Sequence, residues 1–319
     1  MGSRHAAPRP ARNRAGGDAG YARGAARLRK YSRRICKRSR GLVCGSVGII
    51  LLVEPVRFPE SERVVYRKNP LAEVICQVRF PRNLAIEAEP PSAFQKALGS
   101  AYPEVRETRA IQLPEELART VGLDVASLPA SSAFDFASKD GAWRVTLTSS
   151  YVAVTATQYI RWEEFSEHLS LALRALTESY GIAEYRRLGL RYRDVIRRST
   201  LKLDDAPWST LLKPVLLAEI VSEDLRIADG EVLHAARELV LRLDSEDDKV
   251  RFFHGFAQAA LPESPPETCY VIDADFSREK YTERKDADEI LDRFHKEAGH
   301  LFRWCITDKL HTAMDPVSP

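Results

Sequence analysis

The residues with the clearest capacity for chemistry form the run Arg191-Tyr192-Arg193-Asp194, within a stretch whose alternation predicts a β-strand over 185–196. Successive side chains of a strand point to opposite faces, so Tyr192 and Asp194 share one face and the two arginines share the other. A row of arginines on a strand can bind phosphate or an acidic partner. The same arginines can instead form ion pairs with acidic residues on neighbouring strands, and the sequence leaves both interpretations open.

Two carboxylates at Asp273-x-Asp275 fall on one face of another predicted strand, over 269–276. Such a pair can bind a divalent ion or act in general acid–base catalysis, but either role needs a third partner that the sequence does not identify. The alternative is a solvated sheet face. Asp247-x-Lys249 resembles a metal-dependent nuclease signature, but it falls in a polar turn where charges are expected. The sequence therefore predicts no catalytic residue and no metal site.

Common cofactor and nucleophile motifs are absent from the sequence. It contains no Gly-x4-Gly-Lys-Ser/Thr phosphate loop and no Gly-x-Ser-x-Gly elbow, so no cofactor is predicted. The five cysteines lack zinc-site spacing and fit free thiols in a reducing cytosol, so we predict a cytoplasmic protein. His295, His300 and His311 share the last predicted helix, where we expect them to face solvent or form structural hydrogen bonds.

Secondary structure is predicted from hydrophobic periodicity, and it falls into two sets of elements. The first set contains, in chain order, strands over 64–67 and 71–80, a helix that opens at Ser92, a short helix over 115–121, strands over 134–138, 143–148 and 152–159, and a helix over 162–180 that ends at Gly181. The second set contains the strand over 185–196, short helices over 207–220, strands over 237–243, 250–258 and 269–276, and a long helix over 287–310.

The order of elements is the same in both sets: strand, helix, three strands, helix. We therefore predict an α+β fold with two similar halves, 54–183 and 184–319, whose mainly antiparallel sheet carries two long packed helices. A groove between the halves is the predicted site for a ligand or partner. The candidate residues are Glu73, Arg79, Arg191, Tyr192, Arg193 and Asp194.

The N-terminal residues 1–53 differ in composition from the rest of the chain. Residues 1–40 carry thirteen Lys and Arg and one acidic residue, whereas residues 54–319 carry 35 basic and 44 acidic residues. We predict a disordered basic extension, and a translation start assigned upstream of the true one would also account for it. The uncharged stretch 42–53 is shorter than the about 20 residues of a membrane-spanning helix, so no membrane association is predicted. Because the basic excess lies in this extension, nucleic-acid binding is predicted only through it.

Four segments resemble a sporadically distributed family of uncharacterised bacterial proteins. They are Glu54–Pro81, Tyr159–Phe165, Leu188–Tyr192 and Phe302–Leu310. The resemblance covers about 54–316 in the same order and implies no known activity. Members often carry Asn where this chain has Asp194, and this departure argues against an amide-specific role there. The patchy distribution of the family points to accessory roles, linked to defence or mobile elements.

The function predicted from these observations is that of a non-catalytic binding or interaction module, with an unidentified protein or small ligand as its partner. Two alternatives remain open at this stage. One is a metal-dependent hydrolase that uses acidic residues such as Asp273 and Asp275. The other is nucleic-acid binding through the basic extension.

Overall fold

A computed structural model describes residues 55–111, 130–221, 232, 234–261 and 264–319. The N-terminal extension and the short helix predicted over 115–121 lie outside these residues. Contacts between backbone positions place the described residues in one unit, Glu54–Pro319. None of the described helices is both long and apolar enough to cross a lipid bilayer.

The described part of the chain contains thirteen strands and seven α-helices, with runs of consecutive strands between the helices. The strands are β1 (Val65–Tyr66), β2 (Leu71–Arg79), β3 (Glu104–Ile111), β4 (Ala130–Ala137), β5 (Trp143–Leu147), β6 (Tyr151–Ala156), β7 (Glu184–Tyr185), β8 (Arg187–Ile196), β9 (Ala235–Arg242), β10 (Asp248–Leu261), β11 (Ser264–Arg278), β12 (Thr282–Glu283) and β13 (Pro316–Val317). The α-helices are α1 (Ala85–Ala88), α2 (Ser92–Leu98), α3 (Trp162–Tyr180), α4 (Arg198–Leu201), α5 (Pro214–Leu217), α6 (Arg284–Cys305) and α7 (Asp308–Ala313).

Nine of the described strands form one antiparallel sheet in the order β3-β4-β5-β6-β2-β8-β11-β10-β9. The prediction of a mainly antiparallel sheet with several helices is therefore confirmed. Strands β2 and β8 lie side by side at the centre, with Val74 opposite Tyr192 and Cys76 opposite Leu190. On one side of the centre, β2 is followed outward by β6, β5, β4 and β3. On the other side, β8 is followed by β11, β10 and β9.

One face of the sheet forms the hydrophobic core with the helices. Val74, Cys76 and Val78 of β2 alternate with half-exposed residues, and Leu190, Tyr192 and Asp194 of β8 do the same. Helix α3 packs against β6 and α2, while α6 packs against β8 and β11. Burial of this continuous apolar surface, at about 25 cal/mol per Å², supplies the main driving force for the fold.

A buried ion-pair cluster fixes α6 to the sheet. Asp248, which is only 1% exposed, accepts hydrogen bonds from Arg278 at 2.6 and 3.0 Å and from Arg293 of α6 at 2.6 Å. Loss of one partner from such a cluster costs about 3–5 kcal/mol, because a buried charge is then left uncompensated. The cluster sets the position of α6 over the end of the β10–β11 hairpin, and α6 carries residues of the site described below.

The predicted helix over 287–310 is wrong at its C-terminal end, because the structure divides it into α6 and α7. Ile306 adopts an extended conformation and forms a bridge with Leu212. The Thr307 side chain then accepts a hydrogen bond from the backbone N–H of Leu310 and begins α7, with Asp308 in its first turn. The apolar stripe continues through the break, and this is why periodicity alone missed it.

Strand β3 is an element that the sequence analysis did not predict. It is the edge strand next to β4, and residues 104–108 are exposed on both faces. A strand solvated on both sides has no apolar alternation, so the main sequence signal for a strand is missing. By contrast, the Asp140-Gly141 turn forms as predicted between β4 and β5, with Gly141 at a φ of 71° that favours glycine.

Candidate functional site

The six predicted site residues lie on opposite faces of the sheet. Glu73, Arg191 and Arg193 lie on what we call the polar face, the side away from the core, together with Asp273 and Asp275. Arg79, at the end of β2, is exposed and its Nε donates to Gln77 Oε1 at 3.0 Å. Tyr192 and Asp194 point instead toward the helices. The structure thus brings the six residues together along two adjacent strands, but not into one site.

Ion pairs connect the three central strands on the polar face. Arg191 of β8 donates to both carboxylate oxygens of Asp273 in β11, at 2.7 and 2.5 Å, and this hydrogen bonding raises the pKa of the arginine. Arg193 lies 3.1 Å from a carboxylate oxygen of Glu73 in β2. These are the ion pairs between neighbouring strands that the sequence left open as one interpretation of the arginine row.

The carboxylates of the polar face offer no metal site in the described part of the chain. Asp273 is held by Arg191, and Asp275 accepts a hydrogen bond from Arg187 at 2.9 Å. Among the described residues, no three His, Cys, Asp or Glu side chains are grouped so that they could hold a metal ion. The polar face is therefore an internally neutralised surface, whose charges already have partners.

A buried carboxyl group, that of Asp194, lies on the other side of the sheet, in the lining of a cavity of about 170 Å³ between the sheet and the helices. We call this cavity the aromatic pocket, after the five aromatic side chains in its lining: Tyr66, Tyr159, Trp162, Tyr192 and Phe302. The lining is drawn from β1, the start of β2, the segment that leads into α3, strand β8 and helix α6. The pocket thus joins elements of both predicted halves.

The pocket forms where the pairing of β2 with β8 becomes irregular. The register shifts between Leu71 and Glu73, next to the point where Leu71 lies opposite Asp194. Asn69 then holds the entry to β2, since its side chain accepts from Leu71 N at 3.1 Å and donates to Tyr159 O at 3.1 Å. Because of this irregularity, the end of β8 near Asp194 has no regularly paired strand on its β2 side. The cavity lies at this point.

Asp194 is the unusual residue of the pocket. It is only 5% exposed, and its carboxyl group makes no hydrogen bond or ion pair to any residue that the structure describes. Burial raises its pKa well above the ordinary value, and the charge of Asp273 on the neighbouring strand raises it further. A buried polar group without a partner is destabilising, so its presence in a cavity points to a bound group that supplies the partner.

A stacked network fixes one wall of the pocket. The ring of His295 lies parallel to that of Trp162, with centroids 4.8 Å apart, and its Nδ1 is 2.9 Å from the hydroxyl of Tyr192. Trp162 Nε1 in turn donates to Asp292 at 2.5 Å. Burial, helped by the charge of Arg63, lowers the pKa of His295 to about 4, so the ring is neutral at physiological pH. The network orients Tyr192 beside Asp194 without placing a charge there.

The rim of the pocket carries cations in two different situations. Arg63 forms an ion pair with Glu163 at 2.7 Å, and Arg303 pairs with Asp308. Arg161 and Lys296 are exposed, and no described residue forms an ion pair or hydrogen bond with their side chains. The rim therefore carries exposed charges of both signs, Arg161, Lys296 and Glu62, whereas the floor has an acid without a partner among the described residues.

Sequence analysis identified Tyr192 and Asp194 but missed the rest of the pocket. His295 is expected from the sequence to face solvent or to form a structural hydrogen bond, and the structure shows the hydrogen bond, to a residue 103 positions away. The four segments Glu54–Pro81, Tyr159–Phe165, Leu188–Tyr192 and Phe302–Leu310 each contribute residues to the lining. Their convergence on one cavity could not be read from the sequence, since it depends on the pairing of β2 with β8.

Comparison with known proteins adds no further constraint. The sequence matches no protein-family model and no curated protein, and the structure matches no solved structure. The function of the protein is therefore inferred from the geometry of the pocket.

Proposed function

We propose that this protein is a non-catalytic binding protein whose ligand site is the aromatic pocket. The observation that carries the proposal is the carboxyl group of Asp194, which is 5% exposed, lacks a partner among the described residues and lines a cavity of about 170 Å³. Ligand sites in proteins are mostly apolar cavities with a few polar groups that fix the orientation of the ligand. Five aromatic side chains and one buried acid fit this description.

Binding is favoured over catalysis by the state of the groups around the cavity. The pKa of His295 is lowered to about 4 and the pKa of Tyr66 is raised to about 12, so neither is tuned for proton transfer near neutral pH. Cys305 is buried, and its pKa is raised well above that of a free thiol, which argues against a reactive thiolate. Among the described groups around the cavity, Asp194 is the one that both lines the cavity and has a carboxyl group without a hydrogen-bond partner.

An internal duplication would explain the position of the pocket. From the centre outward, the sheet continues from β2 to β6, β5 and β4 on one side, and from β8 to β11, β10 and β9 on the other. This arrangement supports two related halves that meet at the β2–β8 pair, as the order of elements predicted. Pockets commonly occur at such junctions, where two packed units leave an incomplete fit.

The alternative proposals have less support. For a metal-dependent hydrolase, Asp273 and Asp275 would first have to release Arg191 and Arg187. An increase in melting temperature with Mg²⁺ or Mn²⁺ that disappears in Asp273→Asn would revive this proposal. Nucleic-acid binding depends on residues 1–53, which lie outside the described residues, and it predicts binding that weakens steeply with salt.

The proposed site can be tested with a fragment library that contains equal numbers of cationic, anionic and neutral compounds. Saturation-transfer NMR on the full chain would identify the fragments that bind. Gly299 lines the pocket on α6, and a Cβ added there would meet no atom within 4 Å, so Gly299→Ala is sterically tolerated; circular dichroism checks that Gly299→Phe folds before its binding is measured. We expect binding to persist in Gly299→Ala and to weaken in Gly299→Phe, whose ring competes for the cavity.

A second substitution makes the test independent of how the new ring is oriented. Asp194→Asn keeps the size of the side chain but removes the acid, and it should change which fragments bind. If no fragment bound the parent protein, or if every bound fragment were insensitive to both Gly299→Phe and Asp194→Asn, the aromatic pocket would not be the ligand site.

A further inference from the structure

We propose that the aromatic pocket selects the positively charged amino group of a small organic ligand, and that Asp194 is its counter-charge. This inference rests on the proposed function, because it names the class of ligand for the same site. It adds two properties that the pocket alone does not require. The pocket discriminates between ligands by charge, and binding is coupled to the loss of a proton from Asp194.

The aromatic walls of the cavity favour a cation. Aromatic rings attract cations through the negative charge of their faces, and pockets that combine several rings with one carboxylate are suited to ammonium groups. Tyr159 and Tyr192 meet edge to face with their centroids 5.9 Å apart, and Tyr66 meets Phe302 at 5.9 Å in the same way. These rings make the lining of the cavity mostly aromatic, which is the setting in which a cation–π contact can form.

The carboxyl group of Asp194 lacks a hydrogen-bond donor and an opposite charge among the described residues. An anionic ligand would be repelled by ionised Asp194, and the neutral carboxyl group could offer it one O–H donor but no opposite charge. A neutral apolar ligand would leave the carboxyl group unsatisfied. An ammonium group supplies both the positive charge and the hydrogen-bond donors that the described residues do not provide.

The cations of the rim do not oppose this assignment. Arg63 and Arg303 are neutralised by Glu163 and by Asp308, respectively. The remaining rim cations, Arg161 and Lys296, extend into solvent, where charges are screened. They can contact an anionic group at the far end of a ligand that carries one.

Proton release follows from the chemistry of the pair. In the free protein the carboxyl group of Asp194 favours its neutral form, whereas an alkylamine in neutral solution carries its proton. When the ammonium group binds, the carboxyl O–H bond breaks and the proton passes to the solvent, leaving the ammonium–carboxylate pair. Each binding event therefore releases up to one proton, and affinity rises with pH.

The surrounding groups do not produce this pH dependence themselves. The titratable groups around Asp194 are Tyr66 from β1, Tyr159 ahead of α3, Tyr192 from β8, His295 and Cys305 from α6, and Asp273 from β11, and the Nδ1 of His311 in α7 lies 2.8 Å from the hydroxyl of Tyr66. Burial raises the pKa of the three tyrosines and of the cysteine, lowers the pKa of His295 to about 4 and also lowers the pKa of His311. Asp273 is already ion-paired with Arg191. His300 also lines the pocket, so the experiment includes a variant without it.

The test compares three probes of similar size by isothermal titration calorimetry on the full chain: benzylamine, benzyl alcohol and benzoate. We expect benzylamine to bind at least about tenfold more tightly than the other two, the scale of a cation–π contact with an added ion pair. Its affinity should increase from about pH 5 to about pH 8, a range in which the amine stays protonated. The increase should persist in His300→Gln and disappear in Asp194→Asn, which should also remove the preference for the amine.

The outcomes separate this inference from the proposed function. If benzyl alcohol or benzoate bound as tightly as benzylamine, and Gly299→Phe weakened that binding, the pocket would be a ligand site but not a cation site. An affinity for benzylamine that did not change with pH, or that survived in Asp194→Asn, would also overturn the inference. If none of the probes and no library fragment bound, both proposals would fall together.

Discussion

At the scale of single residues, Asp194 lowers the stability of the free protein. Its neighbours on the same face of β8 are Leu188, Leu190 and Tyr192, and an apolar residue in its place would continue this pattern. A carboxyl group placed there is desolvated and receives no hydrogen bond from the described residues in return. The sequence predicted the face on which Asp194 lies, but not its isolation, because isolation depends on what the other elements fail to supply.

The cost of Asp194 should appear as a difference in pH dependence between the parent and Asp194→Asn. A carboxyl group whose pKa is raised on folding contributes its full stability below the unfolded pKa of about 3.9 and loses it as pH rises toward the folded value. The parent therefore loses stability above about pH 4, whereas the asparagine variant has no such group.

We expect the free energy of unfolding of Asp194→Asn, relative to the parent, to increase with pH by up to about 1.4 kcal/mol per unit. Urea unfolding monitored by tryptophan fluorescence at several pH values measures this difference, and other titrating groups cancel in the comparison. A difference that stayed constant from about pH 4 to about pH 8 would show that the pKa of Asp194 is not raised.

At the scale of elements, apolar periodicity predicted helices and strands reliably where it was strong. The residues that begin and end elements were not all recognised. The apolar stripe over 162–180 predicted α3 with the bounds that the structure gives, and Gly181 ends it in a left-handed conformation. The break between α6 and α7 was missed, although Thr307-Asp308 is a recognisable start for a helix. A charged edge strand such as β3 shows no apolar periodicity in the sequence. It can be inferred only from the neighbouring strand β4, whose outer edge needs a partner.

Helix α6 contains a glycine that helix propensity alone does not favour. Gly299 lies in the interior of α6 and faces open space, since a Cβ added at this position would meet no atom within 4 Å. Glycine in a helix interior is less favourable than alanine by up to about 1 kcal/mol, because it loses more backbone entropy on folding.

Gly299→Ala should therefore raise the free energy of unfolding by about 0.5–1 kcal/mol and leave binding of benzylamine unchanged. Thermal and urea unfolding give the first quantity, and calorimetry gives the second. Destabilisation by this substitution would mean that the wall of the pocket is more crowded than the structure indicates.

At the scale of the whole molecule, the pocket depends on contacts between distant parts of the chain. Tyr192 and His295 are 103 residues apart, and His295 contacts both Tyr192 and Trp162 because α3 and α6 cover the same face of one sheet. The sequence predicted strands, helices and their repeated order, each from local pattern. It could not predict the register of β2 against β8, which brings these residues together, because register is set by pairing between strands more than 100 residues apart.

The central position of the β2–β8 pair predicts that the two halves of the sheet that meet there unfold together. Separation of β2 from β8 would expose two long strand edges and the apolar face beneath α3 and α6, so we expect neither half of the sheet to remain folded without the other. Native-state hydrogen exchange should give the same, highest opening free energy for amides in β2, β6, β8 and β11, with lower values toward the edge strands β3 and β9. Two distinct plateaus, one for each half, would instead mean that the β2–β8 pair joins two independently folding units, and the pocket between them would then open without global unfolding.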